Sequence, residues 1–170
     1  FRKKISVIHD GIDTDVLQPN PEAYLAFKSG NDIYKFTRED EIITFVNRNL
    51  EPTRGYHTFM RSLPEILATR PNARVFIIGG DHVSYGLPPK QGTWKELFFN
   101  EVKDRIDVSR VHYFGNVDFA TYMSIMQLSK VHVYLTYPFV LSWSLLEAMS
   151  MGACVVASDT APLQEVIIDN

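Results

Sequence analysis

The sequence has 170 residues, 45% hydrophobic and 22% charged, which is long enough and apolar enough to bury a core and excludes bulk disorder. Its 17 Lys and Arg against 20 Asp and Glu leave a net charge of −3, the wrong sign for non-specific nucleic-acid binding, which depends on phosphate neutralisation. A single cysteine, Cys154, excludes a disulfide framework and a cysteine-rich zinc site and fits a reducing, cytoplasmic setting.

Taken in chain order, short β-branched apolar runs alternate with longer segments of helical period. Residues 5–9 (ISVIH) read as a first strand, closed by Asp10 and Gly11. Residues 12–40 are polar and carry Pro19 and Pro21, with room for a short helix over 21–28. Residues 41–47 (EIITFVN) read as a second strand, and 55–69 follow with Phe59, Met60, Leu63, Ile66 and Leu67 at helical spacing. Pro64 predicts a kink or a boundary in that helix. Residues 73–78 (ARVFII) form a third strand ending in Gly79, Gly80 and Asp81. A Gly, Pro and Ser loop to about 92 precedes a helix over 93–106. Residues 110–114 (RVHYF) are a fourth strand, and Asp118 is placed to cap a helix running to about 129. Residues 131–136 (VHVYLT) are a fifth strand, a helix from Ser142 or Ser144 stops at Gly152, 154–157 (CVVA) are a sixth strand, and 163–168 open another helix.

Strand and helix in repeated alternation imply parallel pairing with crossovers. The expected fold is α/β: an open Rossmann-like parallel sheet with helices on both faces, its strands apolar because both faces are covered. No apolar run reaches the ~20 residues that a membrane-spanning helix needs. The start at Phe1 without an initiator Met, and the end just after Val166 and Ile167, read as a single domain, 1–170, of a larger chain.

Ligands of open parallel sheets sit beyond the carboxyl ends of the strands. Gly11 and Asp13 follow the first strand, Arg48 and Arg54 the second, Gly79 to Asp81 the third, Gly115 and Asn116 the fourth, and the Ser142 helix start the fifth. Two guanidiniums flanking the short loop 49–53 suit a diphosphate, because planar forks pair with phosphate oxygens; the alternative is that they are solvated or paired with Glu51. The helix start at Ser142, Trp143 and Ser144 adds a favourable field for an anion. Glu147 lies in an otherwise apolar helix, where a carboxylate needs a partner. A vicinal diol such as ribose would serve, and so would a nearby arginine. No G-x-G-x-x-G follows the first strand, and P-loop, H-E-x-x-H and G-x-S-x-G patterns do not occur. The five histidines are scattered, with His112 and His132 inside strands, so no metal site is expected.

The residues carry a family resemblance over almost the whole chain. VIHDGIDTDVLQP resembles I-P-N-G-V-D…F-x-P, FVNRNLEPTRGYHTF resembles a G-R-L…K-G loop, and FIIGGD resembles a hydrophobic-G-x-G strand end. VHYFGNV is similar to V-x-F-x-G-x-V, and LLEAMSMGACVVASDTAPLQEVI is similar to the long L-L-E-A-M-A-x-G-x-P-V-V-A-S block. Together they resemble the C-terminal, donor-binding domain of retaining group-1 glycosyltransferases (glycosyltransferase family 4, GT-B fold). The resemblance implies that Arg48 and Arg54 hold the donor diphosphate and stabilise its departure. It further implies that Glu147 binds the nucleotide ribose and that Gly115, Asn116 and Val117 line the base. With Ser142, Trp143 and Gly11 these complete the candidate donor-binding set, and Glu165 falls on a later glutamate of structural or secondary role.

One departure stands out: the family's E-x7-E motif calls for a glutamate eight positions before Glu147, and that residue is Phe139. The implied reaction is transfer of a sugar from a nucleotide-diphosphate sugar to an acceptor hydroxyl, with retention and without a metal or a further cofactor. The implied partners are the donor and an N-terminal acceptor domain, with no nucleic acid and with membrane-surface association only through that other half. A nucleotide-sugar epimerase of the same fold, a non-catalytic nucleotide-binding module and a phosphate-binding regulatory domain are the alternatives.

Overall fold

A computed structural model describes residues 6, 8, 10–137 and 141–167. The first expected strand, 5–9, and Phe139 therefore fall wholly or largely outside the described residues.

The first regular elements are β1 (Tyr24–Ser29) and β2 (Asp32–Thr37), an antiparallel hairpin turning at Gly30. This corrects the expected helix over 21–28. The residues alternate with a period of two: Leu25, Phe27, Tyr34 and Phe36 point one way and pack on the main sheet, while Tyr24 and Ile33 point out and are exposed.

The main sheet is built from β3 (Ile42–Asn49), β4 (Arg74–Gly80), β5 (Val111–Gly115), β6 (Ser129–Tyr134) and β7 (Cys154–Ala157). All neighbouring strands are parallel, in the order β5-β4-β3-β6-β7. The crossovers are α1 (Tyr56–Thr69), α2 (Trp94–Val102), α3 (Phe119–Leu128) and α4 (Trp143–Ser150), and α5 (Ala161–Gln164) follows β7. From β3 the chain adds β4 and β5 on one side and then returns to add β6 and β7 on the other, so the direction of winding reverses at the β3/β6 boundary.

Alternation along the strands splits the core into two layers. Phe45, Val75, Ile77, Val111 and Val133 meet Phe59, Met60, Leu63 and Leu67 of α1 and Phe98 and Val102 of α2. Ile42, Phe76 and Ile78 point to the other face and meet Ile125 and Leu128 of α3 and the aromatic side of the hairpin. Further along that face, Met126 of α3 packs with Ala148 of α4 and Met151, against Val46 and Val155. Helices thus cover both faces, and the hairpin supplies the rest of the second. The expectation that strands are apolar on both faces holds for β4, buried after Arg74, and fails at the edge strand β7, where Cys154 and Val156 are exposed.

Pro64 does not break α1, which runs through from Tyr56 to Thr69. Proline removes one backbone hydrogen bond, but Phe59, Met60, Leu63 and Leu67 bury an apolar stripe on both sides of it. Asp118 caps α3 as its sequence position predicts, accepting from the backbone N–H of Thr121 at 2.9 Å.

Candidate functional site

At the carboxyl edge of the sheet, the β3/β6 reversal is the place where an open α/β sheet forms a ligand crevice. A cavity of about 490 Å³ opens there. Its floor is the end of β3, residues 46–49, where β3 carries one residue more than β4 between the Val46–Ile78 and Asn49–Gly80 pairs. Such a bulge turns side chains out of the ladder. Arg48 emerges there, exposed.

Arg54 ends the 3₁₀ turn Pro52–Arg54, and its guanidinium lies 5.3 Å from the ring centroid of Tyr85. Both arginines line the cavity. The turn is stopped by Gly55, whose left-handed φ of 71° lets its N–H reach the carbonyl of Pro52 while the same residue starts α1.

Opposite lies α4. Ser142 is its N-cap without a side-chain capping bond, no acidic residue occupies the first turn, and Ser142, Trp143 and Ser144 line the cavity. The positive end of that helix is therefore turned to the space beside the two guanidiniums. Glu147, one turn further along α4, lines the same cavity and accepts a hydrogen bond from the Tyr122 hydroxyl of α3. Burial, with Glu147 adding to it, pushes the Tyr122 phenol well above the usual tyrosine range, so the proton stays on Tyr122.

Five of the nine candidate residues thus come together: Arg48, Arg54, Ser142, Trp143 and Glu147. Gly115, Asn116 and Val117 do not line the cavity. Gly115 ends β5, Val117 packs against the second-face core, and Asn116 stands beside the wall, its Nδ2 3.5 Å from where a Cβ on Gly80 would lie. Gly11 is exposed and does not line the cavity, with nothing within 4 Å of the position a Cβ would take.

Sequence reasoning passed over the other lining residues. Glu51, weighed only as a partner for the arginines, is 1% exposed and accepts from the backbone N–H groups of Ser84 and Tyr85 at 3.1 and 3.0 Å. Asn49 donates to Ser84 Oγ at 2.7 Å. These bonds fasten the loop after β4 as a wall of the cavity. The signal was present: an acidic residue inside a strand-to-helix loop that also carries two arginines. Tyr122 left no local signal, because its partner lies 25 residues on. Among the described residues no three His, Cys, Asp or Glu side chains are grouped to hold a metal ion. Among them, too, no helix is long and apolar enough to cross a membrane.

The family described as glycosyl transferases group 1 matches residues 31–170. The chain belongs to that family. Among curated proteins it is similar to a phosphatidyl-myo-inositol mannosyltransferase of Mycolicibacterium smegmatis, at 25% identity over 168 residues. That match covers 94% of this chain and 38% of the mannosyltransferase, so the chain spans well under half of its relative's length. In fold it is similar to the C-terminal domain of a group 1 glycosyl transferase from Francisella tularensis, with a TM-score of 0.70 at 18% identity, covering 94% of this chain and 76% of that one. It is also similar to the sucrose-phosphate synthase of Thermosynechococcus elongatus, with a TM-score of 0.66 at 20% identity, covering 93% of this chain and 36% of that one. The Rossmann-like sheet of this group 1 glycosyltransferase domain is thus the one found in the C-terminal domain of a family member.

Proposed function

We propose that the cavity at the β3/β6 boundary binds a nucleotide-diphosphate sugar, and that the domain serves transfer of that sugar, with retention and without a divalent metal, to an acceptor hydroxyl. The observation that carries this reading is the convergence of Arg48, Arg54, the open start of α4 and Glu147 on one cavity. Breaking the bond between the sugar C1 and the diphosphate oxygen leaves the electron pair, and negative charge, on the departing nucleoside diphosphate. Two guanidiniums and the partial positive end of a helix line the space where that charge would develop, and their attraction for it would be the electrostatic part of the catalysis. Glu147 is suited to a ribose diol. The acceptor would be presented by the N-terminal domain that the family resemblance implies, so this chain alone is expected to bind donor and not to turn it over.

The test is calorimetric titration of the chain with UDP, GDP and ADP. At least one is expected to bind, with Arg54→Ala and Arg48→Ala each weakening it by roughly tenfold to a hundredfold, as loss of a charged hydrogen bond implies. Absence of binding by all three, or an affinity untouched in both variants, would overturn the reading.

A further inference from the structure

Glu147 does not meet the cavity alone. The Tyr122 hydroxyl donates to its Oε2, and both residues line the cavity. Tyr122 is held in place from outside the site, its ring packed against both clusters that α3 buries. Its oxygen, while its O–H donates to Glu147, keeps lone pairs that accept. The pair therefore offers two adjoining acceptor positions: Oε1 of the carboxylate and the phenolic oxygen.

We infer that Tyr122 is a specificity-determining residue, acting with Glu147 as a two-acceptor receptor for the vicinal hydroxyls of a ribose. One hydroxyl donates to Glu147 Oε1 and its neighbour to the Tyr122 oxygen, while the Tyr122–Glu147 bond stops the carboxylate rotating between alternatives. A carboxylate by itself binds a diol in several orientations; a carboxylate braced by a phenol binds it in one. A sugar lacking one of the two hydroxyls leaves one acceptor unpaired in a half-buried site, and such an unmade bond is what gives polar sites their discrimination.

This inference rests on reading the cavity as a nucleotide site, and the experiment separates the two. The nucleoside diphosphate that binds best among UDP, GDP and ADP is titrated against its 2′-deoxy and 3′-deoxy forms, with the chain unaltered and as Tyr122→Phe. The unaltered chain is expected to prefer the ribose form by roughly tenfold over each deoxy form, one hydrogen bond's worth. In Tyr122→Phe the preference over one deoxy form falls to within about twofold, while affinity for that deoxy form stays as it was. That selective loss is something a structural role cannot produce. Equal weakening of all three ligands, or retention of both preferences, would overturn the inference and leave the nucleotide site standing. Failure of the unaltered chain to bind any of the three nucleoside diphosphates would sink both. Tyr122→Leu, which keeps the apolar packing without a phenol, supplies the same comparison if the phenylalanine variant does not fold.

Discussion

Gly55 shows how one residue without a side chain holds two elements and a site together. It closes the 3₁₀ turn that carries Arg54 and opens α1, at a φ of 71°. A Cβ there would lie 2.2 Å from Leu135 Cβ and 3.3 Å from the Leu135 carbonyl carbon. Those atoms belong to the backbone neighbourhood of the chain leaving β6, so no side-chain rotation relieves the overlap. Left-handed strain costs ~1–2 kcal/mol and overpacking a further ~1–3 kcal/mol. Gly55→Ala is therefore expected to lose about 3 kcal/mol in a denaturant melt and to weaken nucleoside diphosphate binding, because Arg54 immediately precedes it. Gly86→Ala is the control: its φ is 88° but nothing lies within 4 Å of the added atom, so it should lose only about 1 kcal/mol. Equal losses in the two variants would refute the packing account. Arg48, Arg54 and Glu147 could be singled out from sequence because the reason to suspect each is local: charge at the end of a strand, or charge in an apolar helix. Glu51 carried a local signal as well, an acid between those two arginines; Tyr122 carried none, because what it does depends on a helix that only folding brings beside it.

At the scale of elements, α2 is the best example of a helix specified by its own first turn. Thr93 Oγ1 accepts from the Glu96 N–H at 3.1 Å and the Glu96 carboxylate accepts from the Thr93 N–H at 2.9 Å, a reciprocal cap. The helix so started stacks Trp94 on Phe98, 5.6 Å apart, and Trp94 Nε1 donates to the Leu87 carbonyl. The cap thus also steadies the loop that walls the cavity. Thr93→Ala should lose about 1 kcal/mol globally, and amide exchange should rise first over residues 81–102. Exchange that rises evenly along the chain would argue against a local cap. The parallel strands and their crossover helices were readable because each is a contiguous apolar or periodic run, whose pattern survives without knowledge of its neighbours. The hairpin was not. Its alternating Leu25, Phe27, Tyr34 and Phe36 lie in a polar segment containing two prolines, and they make a surface only when Phe76, His112 and Phe114 of the sheet are there to receive them. Pro64 failed as a helix boundary for the same reason: local propensity argues for a break, and the buried stripe of α1 outweighs it.

The whole molecule carries a pH dependence set by histidines inside its sheet. His132 on β6 is fully buried, its Nδ1 2.9 Å from Thr44 Oγ1, which is itself 2.7 Å from Ser129 Oγ. This chain of polar groups crosses between β3 and β6, the two strands at the winding reversal. Burial pushes His132 from 6.5 down to about 4, and burial followed by the nearby Arg74 charge pushes His112 down to about 4. A histidine with a depressed folded pKa is neutral in the native protein where the unfolded chain would already be protonated. Between pH 6.5 and 4 the unfolded state binds more protons, so the stability present above 6.5 is lost as the pH falls. Each histidine removes about 1.4 kcal/mol per pH unit in the middle of that window. The carboxylates of Asp107 and Asp118 are held below their ordinary 3.8 by hydrogen bonds from Ser109 and Thr121, so their contribution disappears only at lower pH. Urea melts at pH 7.5, 6 and 5 read the sheet histidines together with His57 of α1, which burial also lowers, and with the onset of Glu101, which the hydrogen bond from Arg61 holds below its ordinary 4.5; the free energy of unfolding should fall across them. In His132→Asn the amide keeps a partner for Thr44, the titrating group is gone, and the slope should shrink by about 1.4 kcal/mol per pH unit. A slope unchanged by that substitution would mean that His132 accepts its proton without loss, and that the chain of polar groups joining β3 to β6 is open enough to solvate a charge.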